Sequence, residues 1–375
     1  MFFCGGQKGS GFLYVESITA ENFRNLSAVD IKLNSGINIF YGKNAQGKTN
    51  ILESIYVCAT GRSHRTRIDS RLVNFEKPEC HVRLFCKRGK RQDRIDLHIK
   101  KDEKKGIAIN GIAIKKSGEL FGTLLTVIFS PEDLGLVKEG PSERRRFMDM
   151  ELCQLSNVYY YDLQQYYKVL KQRNSLLKNV QKNSSLKDTI FIWDSQLLEY
   201  GKRVISARRS FIDKLNDISA KKHSIITGGG EILKIEYKPD CTEDNFEKKL
   251  LSSLERDIMY GTTYQGPHKD DIVFSINGSD VKLFGSQGQQ RTTALSTRLA
   301  EIDIMEQETG EKPVVLLDDV FSELDESRQR MLLESISDCQ IIITCTGVED
   351  IVRKYTENAY IFYVESGNVV KKADI

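Results

Sequence analysis

The sequence predicts an α/β fold: a strand-rich part built around one glycine loop, interrupted by a long helical insertion and completed near the C-terminus. Three observations carry this expectation. First, Gly42-Lys43-Asn44-Ala45-Gln46-Gly47-Lys48-Thr49 fits the pattern G-x-x-x-x-G-K-[ST], between an alternating stretch and an apolar run at helical spacing. Second, Pro313-Val314-Val315-Leu316-Leu317-Asp318-Asp319 reads as a buried strand ending in two carboxylates, 270 positions beyond Lys48. Third, two long apolar stripes at steps of three and four occupy the interval between them.

In chain order, Met1 to Phe12 is glycine-rich and without period, and is expected to be a flexible leader. Leu13–Ile18 alternates like an edge strand, and Val29–Leu33 alternates again. Ile37–Tyr41 is the strand entering the glycine loop, and Asn50–Cys58 the helix leaving it. Thr60–Arg67 is a basic loop on the phosphate side. Short strands follow at His81–Cys86, Asp93–Ile99 and Gly106–Ile114, the last folded on Asn110-Gly111, a strong hairpin signal. Leu124–Phe129 is apolar but for Thr126, and reads as a buried strand. Ser130-Pro131-Glu132-Asp133 has a cap residue, then proline at the first helical position, then acids in the first turn, so a helix should begin there.

One stripe runs through Leu155, Tyr159, Leu163, Tyr166, Leu170 and Leu177. The other runs through Trp193, Leu197, Tyr200, Val204, Ala207, Phe211, Leu215 and Ile218. With Asn183-Ser184-Ser185 between them, they predict two antiparallel helices packed as an arm. Gly266–Asp271 breaks the helical pattern; Ile272–Ile276 and Val281–Leu283 then predict a hairpin on Asn277-Gly278. Gln340–Thr344 is a second buried strand, and Tyr360–Val364 with Val369–Lys371 closes the chain as a hairpin. The expected organisation is a leader at 1–12, a first half at 13–135, a helical arm domain at 136–265 and a second half at 266–375.

The glycine loop names a ligand class. Backbone N–H groups of such a loop wrap phosphates, and the following helix adds its positive end. Lys48 is expected to reach the β- and γ-phosphates of a nucleoside triphosphate, and the Thr49 hydroxyl to ligate Mg²⁺. Asp318, at the tip of its strand, completes the Mg²⁺ site, and Asp319 orients or deprotonates the attacking water. Net charge is only +3, which excludes a uniformly basic nucleic-acid coat. DNA binding would need local clusters, and the candidates are Arg144, Arg145, Arg146, Lys171, Arg173, Lys202, Arg203, Arg208 and Arg209. The eight cysteines include no C-x-x-C pair, so buried reduced thiols in a cytoplasmic protein are expected. No run approaches the length of a membrane span.

A helical insertion this long between the two phosphate-site elements resembles the ABC-type ATPases, so the fold class is an ABC-type P-loop ATPase head with an inserted helical arm domain. Ser286-Gln287-Gly288-Gln289-Gln290 resembles the ABC signature, and Ser322-Glu323-Leu324-Asp325 the loop that follows the acidic strand. Further stretches are Asn22–Asn25, Ser130–Leu134, Pro141–Arg146, Gln172-Arg173-Asn174, Gly266–Asp271 and Ser286–Arg291. With these, the chain resembles the RecF family of bacterial recombination mediators from about Leu13 onward. That resemblance implies a head like those of the structural-maintenance-of-chromosomes ATPases. It also implies ATP-dependent homodimerisation on DNA, weak DNA-stimulated ATP hydrolysis, and partnership with RecO and RecR in loading recombinase at gaps. Ser286, Gln287, Gly288 and Gln289 would meet the γ-phosphate held by a second copy. For Arg24 and Arg65 the spacing leaves nucleotide, DNA and a neighbouring carboxylate open as partners.

Three other readings compete. A transporter ATPase subunit predicts a shorter helical part and a histidine after the strand Ile341–Thr344, where this chain has Cys345-Thr346. A nuclease of the overcoming-lysogenization type needs a further acidic metal-binding domain, for which the stretch after Asp319 is short. A DNA clamp without turnover has no use for a carboxylate at position 319.

Overall fold

The structure, a computed structural model, describes residues 12–347 and 359–372. The expected leader falls outside them except for Phe12. The chain divides into two compact units, Met1–Asp133 with Arg298–Ile375, and Leu134–Thr297.

In the first unit, alternating residues make β1 (Leu13–Phe23) and β2 (Leu26–Lys32), and β3 (Ile37–Tyr41) leads through the glycine loop into α1 (Lys48–Thr60). Then come β4 (Glu79–Arg88), β5 (Arg91–Lys100), β6 (Gly106–Ile109), β7 (Ile112–Ala113) and β8 (Thr126–Phe129). The turn between β6 and β7 has both Asn110 and Gly111 at positive φ, as a type I′ hairpin requires. One sheet is antiparallel, in the order β2-β1-β4-β5-β6-β7. β1 is therefore not the edge strand its alternation suggests: it pairs with β2 on one side and β4 on the other. Alternation reports one buried face, not whether the strand's edges are paired.

The second unit contains α2 (Leu134–Lys138), α3 (Pro141–Leu155), α4 (Asn157–Val180) and α5 (Ile190–Ile226). β9 (Leu233–Lys238), α6 (Phe246–Ser252), α7 (Leu254–Tyr260), β10 (Asp271–Ile276), β11 (Ser279–Asp280) and α8 (Val281–Phe284) follow. The helix expected at Ser130 starts as a single 3₁₀ turn, Pro131–Asp133, ahead of α2. The first apolar stripe belongs to two helices: Leu155 ends α3, and Ser156 caps α4 by accepting a hydrogen bond from the Tyr159 N–H. α5 has 37 residues, about 55 Å at 1.5 Å per residue. Leu197, Val204, Phe211 and Leu215 of its stripe are buried, while Trp193, Tyr200, Ala207 and Ile218 are half-buried. Val281–Leu283 is helix rather than strand, because the Asp280 carboxylate accepts from the Lys282 and Leu283 N–H groups and caps a turn there. β10 pairs with β9 of this unit, so the stretch 271–284 is built into it.

α9 (Gln287–Thr309) begins in the second unit and ends in the first, which β12 (Val314–Asp318), α10 (Glu326–Ser335), β13 (Ile341–Cys345), β14 (Tyr360–Glu365) and β15 (Asn368–Lys371) complete. They join β3 and β8 in a second sheet of order β15-β14-β3-β13-β12-β8, parallel except for β15. α1 packs against strands of both sheets, and eleven of its thirteen residues are buried. Gln340 stitches the sheets together. Its Oε1 accepts from the Val15 N–H at 2.7 Å, and its Nε2 donates to the carbonyls of Val15 and Asn34. The register of β1 slips beside Val15, and Gln340 satisfies the backbone groups at that slip.

Candidate functional site

In the parallel sheet β13 lies between β3 and β12, so the C-terminal ends of all three strands open on one edge, where α/β sheets bind ligands. β3 delivers the glycine loop there, β12 delivers Asp318 and β13 delivers Thr344.

The loop is shaped by close contacts. A Cβ on Gly42 would lie 2.3 Å from the Val364 carbonyl oxygen, and one on Gly47 would lie 2.8 Å from Asn25 Oδ1. Gly47 also sits at φ 111°, where a side chain is strained. Gln46 ties the loop to the β14–β15 turn: its Oε1 accepts from the Ser366 N–H at 2.6 Å and its carbonyl from the Gly367 N–H at 2.9 Å. Lys48 is 6 % exposed. Its Nζ donates to the carbonyls of Gly42 and Lys43, at 2.6 and 2.9 Å. Burial pulls its pKa below the ordinary lysine value, opposed by the charges of Asp319 and Asp318.

Thr49 Oγ1 donates to Asp318 Oδ1 at 2.9 Å, and Thr344 Oγ1 donates to the same oxygen at 2.7 Å. Asp318 is 3 % exposed, and burial raises its pKa despite those two bonds. A buried carboxylate with only neutral donors on it fits a cation. Among the described residues no group of three or more His, Cys, Asp or Glu could hold a metal ion. Mg²⁺, which keeps few protein ligands, suits one carboxylate and one hydroxyl beside phosphate oxygens. Asp319 stands in the left-handed region at φ 54°, unusual for a non-glycine residue. Its N–H donates to Thr344 Oγ1 at 3.0 Å. Asp319, Thr344, Lys48, Thr49 and the loop Asn44–Gly47 line one cavity of about 530 Å³, within the range of small-molecule sites.

Several of its residues escape a reading of the sequence. Arg24 and Arg65 also line the cavity, and both reach the buried carboxylate of Glu53. Arg24 does so bidentately, at 3.0 and 2.8 Å, and Ser63 donates to the same carboxylate. Burial raises the Glu53 pKa, but the bonds from Arg24 and Ser63 and the charges of Arg24 and Arg65 outweigh it and leave the carboxyl below its usual value. Arg65 is shared, with Nη1 3.1 Å from Asn50 Oδ1 and Nε 3.7 Å from Glu132. The neighbouring carboxylate is thus one partner of both arginines, and both also face the cavity as part of its lining. Asn25, Asn50, Arg71, Val73, Asn74 and Phe75 complete the lining. Family resemblance singles out Asn22–Asn25, but nothing in its local pattern points to Glu53.

In the second unit, Ser286 and Gln289 form a reciprocal capping box. Ser286 Oγ accepts from the Gln289 N–H and Gln289 Oε1 accepts from the Ser286 N–H. The first N–H groups of α9, on Gln287 and Gly288, have no acceptor within the helix. Ser286 and Gln287 are exposed, and a Cβ on Gly288 would meet only Ser286 Oγ, at 3.8 Å.

The basic candidates separate. Arg144 is buried and bidentate to Asp271, and Arg145 Nη1 donates to the Asp270 carbonyl. Arg173 is 0 % exposed between Asp194, Asp257 and Thr263. Arg208, also 0 % exposed, bonds Asp149, Asp270, Tyr159 and the Pro267 carbonyl. Arg144, Arg173 and Arg208 therefore do not face outward, because interior carboxylates hold them. Arg146 lies 3.5 Å from Glu143, Arg203 pairs with Asp162 and Glu199, and Arg209 with Glu243. Lys171 is exposed and Lys202 half-buried. All seven described cysteines are free and buried, and no described helix is long and apolar enough to cross a membrane.

Comparison with known proteins names the architecture. The family RecF/RecN/SMC N terminal domain matches residues 14–369. The "DNA replication and repair protein RecF" of Lachnospira eligens is 50 % identical over 362 residues, 96 % of this chain and 100 % of the relative. The chain belongs to the RecF family. A solved structure of the recombination mediator protein RecF–ATP in the RecFOR pathway superposes with TM-score 0.91 at 38 % identity, covering 98 % of this chain and 100 % of that one. The Smc head domain of Pyrococcus furiosus, at 15 % identity and TM-score 0.58, covers 96 % of this chain and 97 % of its own and shares the fold alone. This member of the RecF family thus has the ABC-type ATPase head fold.

Proposed function

We propose that this protein binds ATP with Mg²⁺ in the cavity around Lys48, dimerises on DNA while the γ-phosphate is intact, and separates after slow hydrolysis. The observation that carries the reading is the convergence of Lys48, Thr49 and Asp319 on one cavity, with Asp318 bonded to Thr49 behind it. Lys48 and the loop N–H groups hold the phosphates, Thr49 and Asp318 hold Mg²⁺, and Asp319 orients the attacking water. Bound Mg²⁺ supplies charge neutralisation between the phosphates. The helix start, with Ser286 and Gln287 exposed, suits an anion, and the γ-phosphate held by a second copy fits it. Neither subunit then completes the shell alone, so ATP joins the two copies and ADP does not. The wider role follows the family: work in the cytoplasm at DNA gaps or single-/double-strand junctions with RecO and RecR, with DNA stimulating a weak ATPase. The solved RecF–ATP relative in the RecFOR pathway supports that reading.

Two variants test it. Asp319→Asn keeps the shape and loses the carboxylate, so it should dimerise with ATP, remain closed on DNA and release almost no phosphate. Ser286→Arg should bind ATP as a monomer that cannot pair. Sedimentation with ATP beside a phosphate-release assay reads both. A monomeric Asp319→Asn, or a dimeric Ser286→Arg, rejects the sandwich.

A further inference from the structure

Phe75 is the most exposed large apolar residue of the described chain, at 97 %, and it lines the cavity that holds Lys48 and Thr49. It is not on a loose loop. The Asn74 N–H donates to the Asn22 carbonyl at 2.8 Å, and Asn74 Nδ2 to the Arg24 carbonyl at 2.9 Å. Asn74 Oδ1 accepts from the Glu76 N–H at 3.0 Å, and the Asn74 carbonyl accepts from the Lys77 N–H at 3.1 Å. Lys101 Nζ donates to the Phe75 carbonyl at 2.8 Å. Val73 is bridged to Phe23, and the Arg24 N–H donates to the Leu72 carbonyl at 2.7 Å. The segment is therefore fastened to the β1–β2 turn. That turn is itself fastened to the glycine loop through Asn25, whose Nδ2 donates to the Ala45 carbonyl and whose Oδ1 accepts from Asn50.

An exposed aromatic residue fastened into the lining of a phosphate-binding cavity has a specific use. We propose that Phe75 is the base platform of the site: the nucleobase of the bound nucleotide stacks on its ring while the glycine loop holds the phosphates. The inference rests on the ATP reading of this cavity and adds the residue that separates a nucleotide from a bare phosphate chain. Stacking uses the face of a base, not its hydrogen-bonding edge, so it tolerates any base. The platform therefore contributes affinity with little discrimination between ATP and GTP.

The test compares ligands with and without a base. Dissociation constants are measured for ATP, ADP, GTP and inorganic tripolyphosphate on the full chain, its Phe75→Ala and Lys48→Ala variants, and Phe75→Trp in a Trp193→Phe background. Phe75→Ala should weaken ATP, ADP and GTP by about tenfold, the worth of one base on one ring, and leave tripolyphosphate within about twofold. Lys48→Ala should weaken tripolyphosphate and ATP together. Phe75→Trp should retain ATP affinity, and its fluorescence should respond to ATP and not to tripolyphosphate. Unchanged ATP affinity in Phe75→Ala overturns the proposal. So does an equal loss of tripolyphosphate, which would make Phe75 a support of the loop. If the unaltered chain binds neither ATP nor tripolyphosphate, the ATP reading fails, and the platform with it.

Discussion

Lys48 carries its charge in a place where burial opposes it, and only the loop carbonyls and the carboxylates beyond hold it there. Replacing it with alanine removes the ammonium that the proposed function sets against the phosphates and leaves the loop backbone in place. ATP affinity in Lys48→Ala should fall by one to two orders of magnitude, about 1.4–2.7 kcal/mol at 1.4 kcal/mol per tenfold. Equilibrium nucleotide titration checks it, and normal affinity would contradict the assignment of the loop. Asp319 shows the same economy of placement. Its left-handed backbone is tolerated by a short polar side chain, and Thr344 anchors it through the N–H while the residue lines the cavity.

Two elements show how bonds between remote residues hold a segment in place. The first is the start of α9. Gln289, which caps Ser286, donates through Nε2 to Glu231 Oε1 at 2.9 Å, and Glu231 Oε2 lies 2.9 Å from Nε2 of the buried His223 on α5. The signature loop is thereby fastened to the long helix. Glu231→Ala should release Gln289 and weaken ATP-dependent dimerisation several-fold, with the ATP affinity of the monomer unchanged. Sedimentation and nucleotide titration on the same variant separate the two. The second element is Gly266–Asp271. His268 Nε2 faces the Thr263 carbonyl at 3.0 Å and must donate to it, so Nδ1 accepts from the Tyr166 hydroxyl at 2.6 Å. Burial disfavours the charged ring and lowers its pKa to about 4. An unfolded histidine takes up its proton near pH 6.5, so stability is full above that value and falls as the pH drops toward 4. The loss is on the order of 3 kcal/mol, at about 1.4 kcal/mol per pKa unit. Urea midpoints between pH 7 and 4 should drop more for the unaltered chain than for His268→Gln.

At the scale of the whole molecule, a net charge of +3 means that the DNA binding proposed above must use basic groups that the fold leaves outside. Arg144, Arg173 and Arg208 are inside, each against carboxylates. Losing Arg173 would strand Asp194 and Asp257 and destabilise the second unit by about 3–5 kcal/mol, whatever its effect on DNA. The informative variant reverses Lys171, Lys202 and Arg209, which leaves those interior pairs, and Arg203 on the buried Asp162, intact. If these residues neutralise DNA phosphates, the slope of log affinity against log salt should fall by about one for each phosphate no longer neutralised, with little change in sequence preference. An unchanged slope would reject these residues as phosphate contacts.

What the sequence alone determined was local. The entry strand, glycine loop and exit helix, the Asn110-Gly111 turn and the acidic strand end are each written in adjacent residues, because periodicity and turn chemistry act over a few positions. The limits of that range are visible too. A single aspartate at 280 turned an expected strand into a capped helix, and one serine at 156 split a continuous stripe between two helices. The tertiary structure decided which distant groups meet. It set β13 between β3 and β12 so that Thr344 reaches Asp318, brought Glu53 under Arg24 and Arg65, and turned Phe75 into the cavity wall. It also took two of the most conspicuous arginines, Arg173 and Arg208, out of solvent. Pattern cannot reveal this: a charge on a helix reads alike from sequence whether water or a buried carboxylate balances it, and only packing between remote segments chooses.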